Sequence, residues 1–354
     1  MRTNLSSQIS LNRVSPRYYR PENAVERSVL TRLEKIPTNI FETIDEGVVQ
    51  IANEIVAKIQ DRQREGKFCT IAVGTGASLR PLFAELIRKH KDEGVSFRNV
   101  VFFNLYEYYP LTEGAGSSFN HLNKLFLSQI DIDRQNIFTM DGTIPQEAIT
   151  EHCRLYEQRI QTFGGIDIVI MGVGREGNIG MNEPGSHASS TTRLILIDAT
   201  SRSEAAHNIG VDNLPPCSIT MGINTILGAR KVYLLAWGED KADIIRSAVE
   251  DKVSDTLPAS YLQIHANTSV CIDLAAAAHL TRIQRPWLVT SCEWNDKLVR
   301  SAIVWLCTTL NKPILKLTNK DYNENGLSEL LALYGSAYNL SLIHISEPTR
   351  LLSI

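Results

Sequence analysis

Three short stretches concentrate the side chains that can do chemistry. Ile166 to Pro184 reads IDIVIMGVGREGNIGMNEP: an apolar run rich in β-branched residues ends in a loop with Gly172, Gly174 and Gly177, and that loop carries Glu176, Asn178 and Glu183. Short polar groups at the tip of a buried strand suit ligand binding or proton transfer, and glycine lets the backbone approach a ligand closely. A plain strand-to-helix turn fits the same pattern. Val73 to Ser78, VGTGAS, places small and hydroxyl residues just before an amphipathic segment. Backbone N–H groups at a helix start attract phosphate. The stretch lacks the GK[ST] of a Walker loop, and a helix start capped by Thr75 or Ser78 accounts for it equally well. Phe103 to Pro110, FNLYEYYP, crowds Asn104, Tyr106 and Glu107 into the end of another apolar run.

These stretches need elements to position them. Ile40, Ile44, Val48, Ile51, Ile55 and Ile59 recur at three- and four-residue spacing, which predicts one face of a helix over residues 40–63. Strands are expected at residues 68–73, 97–104, 166–171, 193–197, 231–237 and 269–273. Helices are expected at 79–90, 119–127, 145–162 and 240–249. Strands alternating with helices imply an α/β fold, a doubly wound and mostly parallel sheet of Rossmann-like type with helices on both faces. Such a sheet gathers the loops after its strands along one edge, where ligands bind.

At 354 residues, with 43% apolar and 21% charged residues, the chain has the composition of a globular protein. Its formal net charge of -3 offers no general attraction for nucleic acid or an anionic membrane. The six cysteines stand singly, without CxxC or metal-ligand spacing, which favours free thiols in a reducing compartment; no apolar segment of signal-peptide or membrane-span length opens the chain, so a cytoplasmic location is expected. The organisation expected is an N-terminal arm over residues 1–39, rich in proline and polar groups, an α/β domain over 40–282, an extension over 283–339 and a tail over 340–354. In the extension, Leu298, Ile303, Val304 and Leu306 suit an amphipathic helix packed on the main domain. The tail's LSLIHISEPTR, Leu340 to Arg350, resembles the translation of a transposon-end sequencing adapter and is read as non-native.

From about Phe68 to Arg282 the order and spacing of motifs resemble the glucosamine-6-phosphate deaminase/isomerase family. The motifs are VSFRNVVFFNLYEYYPL (Val95 to Leu111), CRLYEQRI (Cys153 to Ile160), GVGREGNIGMNEP (Gly172 to Pro184), SSTTR (Ser189 to Arg193), SITMGINTIL (Ser218 to Leu227) and WGEDKA (Trp237 to Ala242). The NEP triplet, Asn182 to Pro184, places the resemblance in the deaminase branch rather than among the related lactonases. It implies conversion of glucosamine 6-phosphate and water to fructose 6-phosphate and ammonia, without metal or organic cofactor.

The resemblance implies a phosphate pocket made by Thr75, Gly76, Ala77 and Ser78 with Arg202 and Lys241, although taken alone Arg202 and Lys241 also fit solvated surface charges. It assigns catalytic positions to Tyr106, Glu107, Glu176, Asn178 and Glu183. Where the family carries the aspartate that removes the C2 proton, this chain has Tyr106, followed by Glu107; a phenol is a weak base at neutral pH. In the GxGxDGHxxxNEP pattern the aspartate is Glu176, the ring-opening histidine is Asn178, and the glutamate is kept as Glu183. Asparagine orients a hydroxyl but does not shuttle a proton as imidazole does; spontaneous ring opening, or another acid such as Glu183 or the nearby His187, would then have to serve. Two classes stay open: an enzyme, either the deaminase or a hexose-6-phosphate isomerase, and a non-catalytic phosphosugar-binding or regulatory module. The partner expected is a small sugar phosphate, with neither nucleic acid nor membrane; a homo-oligomer and a fused deacetylase-like domain in a longer natural chain remain open.

Overall fold

The computed structural model describes residues 14–112, 116–212 and 214–345. They divide into a larger unit, residues 34–279, and a smaller one formed by residues 14–33 with residues 280 onward. The N-terminal arm expected over 1–39 is therefore split. Residues 1–13 lie outside the described residues, Ala24–Leu30 (α1) belongs to the smaller unit, and Thr38–Phe41 forms the first strand (β1) of the larger one. The helix expected from Ile40 begins instead at Ile44 (α2, Ile44–Arg64), because the Thr43 side chain accepts the Glu46 N–H at 3.2 Å and caps it there. Ile40 belongs to the strand, and its spacing to Ile44 is incidental.

The larger unit continues with β2 (Cys69–Val73), α3 (Arg80–Glu93), β3 (Val100–Asn104), β4 (Tyr106–Tyr109), α4 (Ser118–Leu125), β5 (Ile137–Phe138), α5 (Ile149–Thr162) and β6 (Ile168–Gly172). Then come β7 (Arg193–Leu196), α6 (Ala199–Ile209), β8 (Cys217–Thr220), α7 (Ile223–Leu227), β9 (Lys231–Ala236), α8 (Ala242–Glu250) and β10 (Thr268–Asp273). Seven strands form a parallel sheet in the order β1-β10-β9-β6-β2-β3-β5. The order runs outward from β6 and β2 in opposite directions, so the topological switch lies between them. The central strands are buried along nearly their whole length, which is why they read as continuous apolar runs. Against one face pack Val48, Ile51, Ile55 and Ile59 of α2 and Leu82, Phe83 and Leu86 of α3, in one cluster with Ile71, Val73, Phe102 and Ile170 of the sheet.

Two departures matter for the site. Residues 106–109, expected as a loop, are strand β4, and residues 193–197, expected beside the main sheet, give β7; with β8 they make a separate antiparallel sheet in the order β4-β8-β7. Residue order alone did not separate these short strands from the parallel set. At the start of β6, buried Asp167 accepts the Thr70 N–H at 3.0 Å and pairs with Arg62 and with Arg230, the latter at 3.3 Å, which fixes β6 against β2.

The smaller unit adds α9 (Thr281–Gln284), α10 (Asp296–Leu310), α11 (Asn319–Glu324), α12 (Ser328–Tyr334) and α13 (Ala337–Ile345). Its core gathers Trp287, Val299, Ile303, Leu306, Tyr322 and Leu330. Of the residues expected on the buried face of an amphipathic helix, Ile303 and Leu306 are buried within this unit's own cluster, whereas Val304 is 46% exposed. Of the stretch read as a tail, Leu340 is buried in the smaller unit's cluster, and residues 346–354 lie outside the described residues.

Candidate active site

The site follows from where the strands stop. β2 ends at Val73 and β6 at Gly172, on either side of the switch point, and the two chains beyond them line one cleft of about 400 Å³, a volume suited to a small metabolite. Its lining includes Thr75, Gly76, Ala77 and Ser78, then Tyr106 and Asn178, then Ser201, Glu204, Ala205 and Asn208 of α6, and Trp237, Asp240 and Lys241. Neither Thr75 nor Ser78 caps a helix. Gly76 precedes a 3-10 turn, Ala77–Leu79, that runs straight into α3, and Gly76, Ala77 and Ser78 at this start all line the cleft.

Strand alternation decides what Tyr106 and Glu107 do. Successive residues of β4 point to opposite faces. Tyr106 faces the cleft, with its phenol 2.6 Å from the Thr75 hydroxyl, and burial pushes its pKa up, so it is a neutral hydrogen-bonding group. Thr75 is further held by the Ser118 hydroxyl at 3.1 Å and by the Asn208 amide, which donates to the Thr75 carbonyl at 2.7 Å. Glu107 points away from the cleft into the start of α4. Its carboxylate accepts the N–H groups of Tyr108, Ser118 and Phe119 and the hydroxyl of Ser117, all within 3.0 Å. The catalytic role expected of Glu107 is therefore not available to it: four donors occupy its oxygens, and it anchors a helix.

The glycine loop brings Asn178 into the cleft and leaves Glu176 outside. Gly177 sits at φ +75°, and a Cβ on Gly174 would lie 1.9 Å from Asn178 Oδ1, so both glycines are needed for the turn that buries this amide. Asn178 is 7% exposed, and its Oδ1 has no hydrogen-bond partner in the protein. Glu176 is exposed and does not line the cleft, and His187 is exposed with its ring bonded to the Ser189 hydroxyl. Neither lines the cleft: of the residues flanking Gly177 only Asn178 does, and the His187 ring is bonded within its own turn. Glu183 is half-buried; it accepts the Ser201 hydroxyl at 3.1 Å, and its other oxygen is buried without a partner. Burial raises its pKa, opposed by the Ser201 hydrogen bond and reinforced by Asp198 and Glu176. Since Ser201 lines the cleft, Glu183 reaches it through that hydroxyl.

The phosphate set is only partly assembled. Lys241 lines the cleft beside the Thr75–Ser78 loop, but Arg202 does not; it lies with Ser203, His207 and Asp212 around an open pocket on another face of α6. Asp198 caps α6 through the Thr200 N–H at 2.7 Å and fixes where the helix begins. Positions 201, 204, 205 and 208 then share the cleft face at helical spacing, and 202 does not. That spacing was the signal available in the sequence for Ser201, Glu204 and Asn208, which motif matching missed. Among the described residues no group of His, Cys, Asp and Glu is placed to hold a metal ion, all six cysteines are unpaired, and no helix is long and apolar enough to cross a membrane.

Sheet order and cleft together define a doubly wound α/β protein with a polar-lined cleft at the switch point. More specifically, the chain belongs to the glucosamine-6-phosphate isomerase/6-phosphogluconolactonase family, whose sequence profile matches residues 42–271. A glucosamine-6-phosphate deaminase-like protein of Bacteroides thetaiotaomicron is 65% identical over 344 residues, 97% of this chain; the chain spans about half, 52%, of that relative's length. The glucosamine-6-phosphate deaminase of Bacillus velezensis is 33% identical over 239 residues, covering 67% of this chain and 95% of that enzyme. A solved monomeric glucosamine-6-phosphate deaminase of the NagB superfamily superposes with a TM-score of 0.65 at 30% identity, covering 69% of this chain and all of that one. A 6-phosphogluconolactonase from Trypanosoma brucei, with a TM-score of 0.56 at 19% identity, shares the fold.

Proposed function

We propose that the cleft binds glucosamine 6-phosphate and converts it, with water, to fructose 6-phosphate and ammonia. The observation that carries this reading is the convergence of the Thr75–Ser78 helix start, Lys241, Tyr106 and Asn178 on one cleft at the switch point. Relatives that align with most of the larger unit bear the name of this activity. The phosphate is held by the N–H groups preceding α3 and by the Lys241 ammonium, a helix terminus and a point charge acting together. The sugar then extends toward Tyr106 and Asn178, whose polar side chains line the cleft and orient its hydroxyls by hydrogen bonding.

Ring opening needs a proton on the ring oxygen. Glu183, kept protonated to higher pH by burial, is the acid nearest the cleft: the Ser201 hydroxyl, which donates to it in the structure, turns to accept the carboxyl proton while passing its own to the ring oxygen. Isomerisation then moves a proton from C2 to C1, after which water displaces ammonia. The cleft group in the position of the family's aspartate is the Tyr106 phenol, a weak base whose elevated pKa makes this transfer slow. The reading therefore includes a low turnover. Release of ammonia from glucosamine 6-phosphate, lost in Lys241→Ala, tests it.

A further inference from the structure

Lys241 is not waiting for a phosphate: it already has an anion. Its side chain is 8% exposed, and its ammonium lies 3.2 Å from Glu204 Oε1 and 3.9 Å from Asp240 Oδ2. The charged side chains lining the cleft are these three, one cation against two carboxylates. A phosphate dianion entering the cleft thus meets a formal charge of -1, offset only by the partial charge of the helix start. Glu204 is 37% exposed and stands on the cleft face of α6, so its carboxylate can turn into solvent when Lys241 changes partner.

We propose that Glu204 sets the affinity of the phosphate subsite, acting as an internal counter-anion that the phosphate of any ligand must displace from Lys241. This rests on the phosphosugar reading above and deepens it. With Glu204 in place, a lone phosphate gains little in the cleft. A sugar phosphate binds because contacts along the sugar add to the exchange at Lys241, and the returning carboxylate favours product release. The effect is a threshold common to all phosphate ligands, not a discrimination among them.

Calorimetric titration of the 354-residue chain with inorganic phosphate and with fructose 6-phosphate tests the inference. Glu204→Gln, which keeps the shape and removes the charge, should tighten both ligands by about tenfold and by the same factor, and Glu204→Ala should move them in the same direction. In a Lys241→Ala background the gain from Glu204→Gln should be clearly smaller, because only through-space repulsion is then relieved and the exchange at that ammonium is gone. Unchanged or weaker binding in both Glu204 variants, with wild type binding fructose 6-phosphate, would overturn the inference and leave the phosphosugar reading standing. Binding of neither ligand by wild type or either Glu204 variant would overturn both.

Discussion

Lys241 and Arg202 are both basic residues in recognisable motifs, yet only Lys241 reaches the cleft. Lys241→Ala should weaken fructose 6-phosphate binding by about tenfold or more, whereas Arg202→Ala should leave it within about twofold, both read by calorimetry. Tyr106 and Asn178 keep the polarity of the site but not its proton-transfer chemistry. Restoring an aspartate and a histidine together, Tyr106→Asp with Asn178→His, should raise kcat for ammonia release by on the order of 100-fold. Glu183 gives a pH dependence whose sign follows from its burial. Its folded-state pKa is raised, so the folded chain holds that proton at pH values where the unfolded chain has lost it. The stability this contributes is complete below the ordinary carboxylate pKa of about 4.3 and is lost as pH rises through the folded value. Glu183→Gln should therefore become more stable relative to wild type as pH rises above about 4.3, as measured by urea midpoints.

At the scale of elements, the cleft depends on residues that never touch it. Glu107 joins β4 to α4 through four accepted hydrogen bonds. Glu107→Ala should cost about 3 kcal/mol in urea unfolding, because it strands buried donors. Asp167, which ties β6 to β2 and holds Arg62 and Arg230, should cost a similar amount as Asp167→Ala. These elements also show how far the sequence could be read. The apolar runs of β2, β3, β6, β9 and β10 were legible because a doubly covered parallel strand has no polar face to break the run. β4 was not, since Tyr106 to Tyr109 pairs antiparallel with a distant segment, and nothing local marks that pairing. The catalytic reading of Glu107 failed with it: in a loop either neighbour could face the ligand, but in a strand only one can. Motif position placed Thr75 to Ser78, Asn178 and Lys241 at the cleft, while the face of α6 turned toward it excluded Arg202 and brought in Glu204.

For the whole molecule, the larger unit carries the complete parallel sheet and every cleft residue, and the deaminases of known structure and name align with it. Residues 34–279 expressed alone should fold cooperatively and bind fructose 6-phosphate within about threefold of the full chain, as read by thermal unfolding and calorimetry. The most direct measurement is ammonia release from glucosamine 6-phosphate by the purified 354-residue chain, with Lys241→Ala as control and Arg202→Ala beside it. Slow release that Lys241→Ala abolishes and Arg202→Ala preserves is the predicted result. No release from wild type, with fructose 6-phosphate still bound at Lys241, would contradict the deaminase assignment.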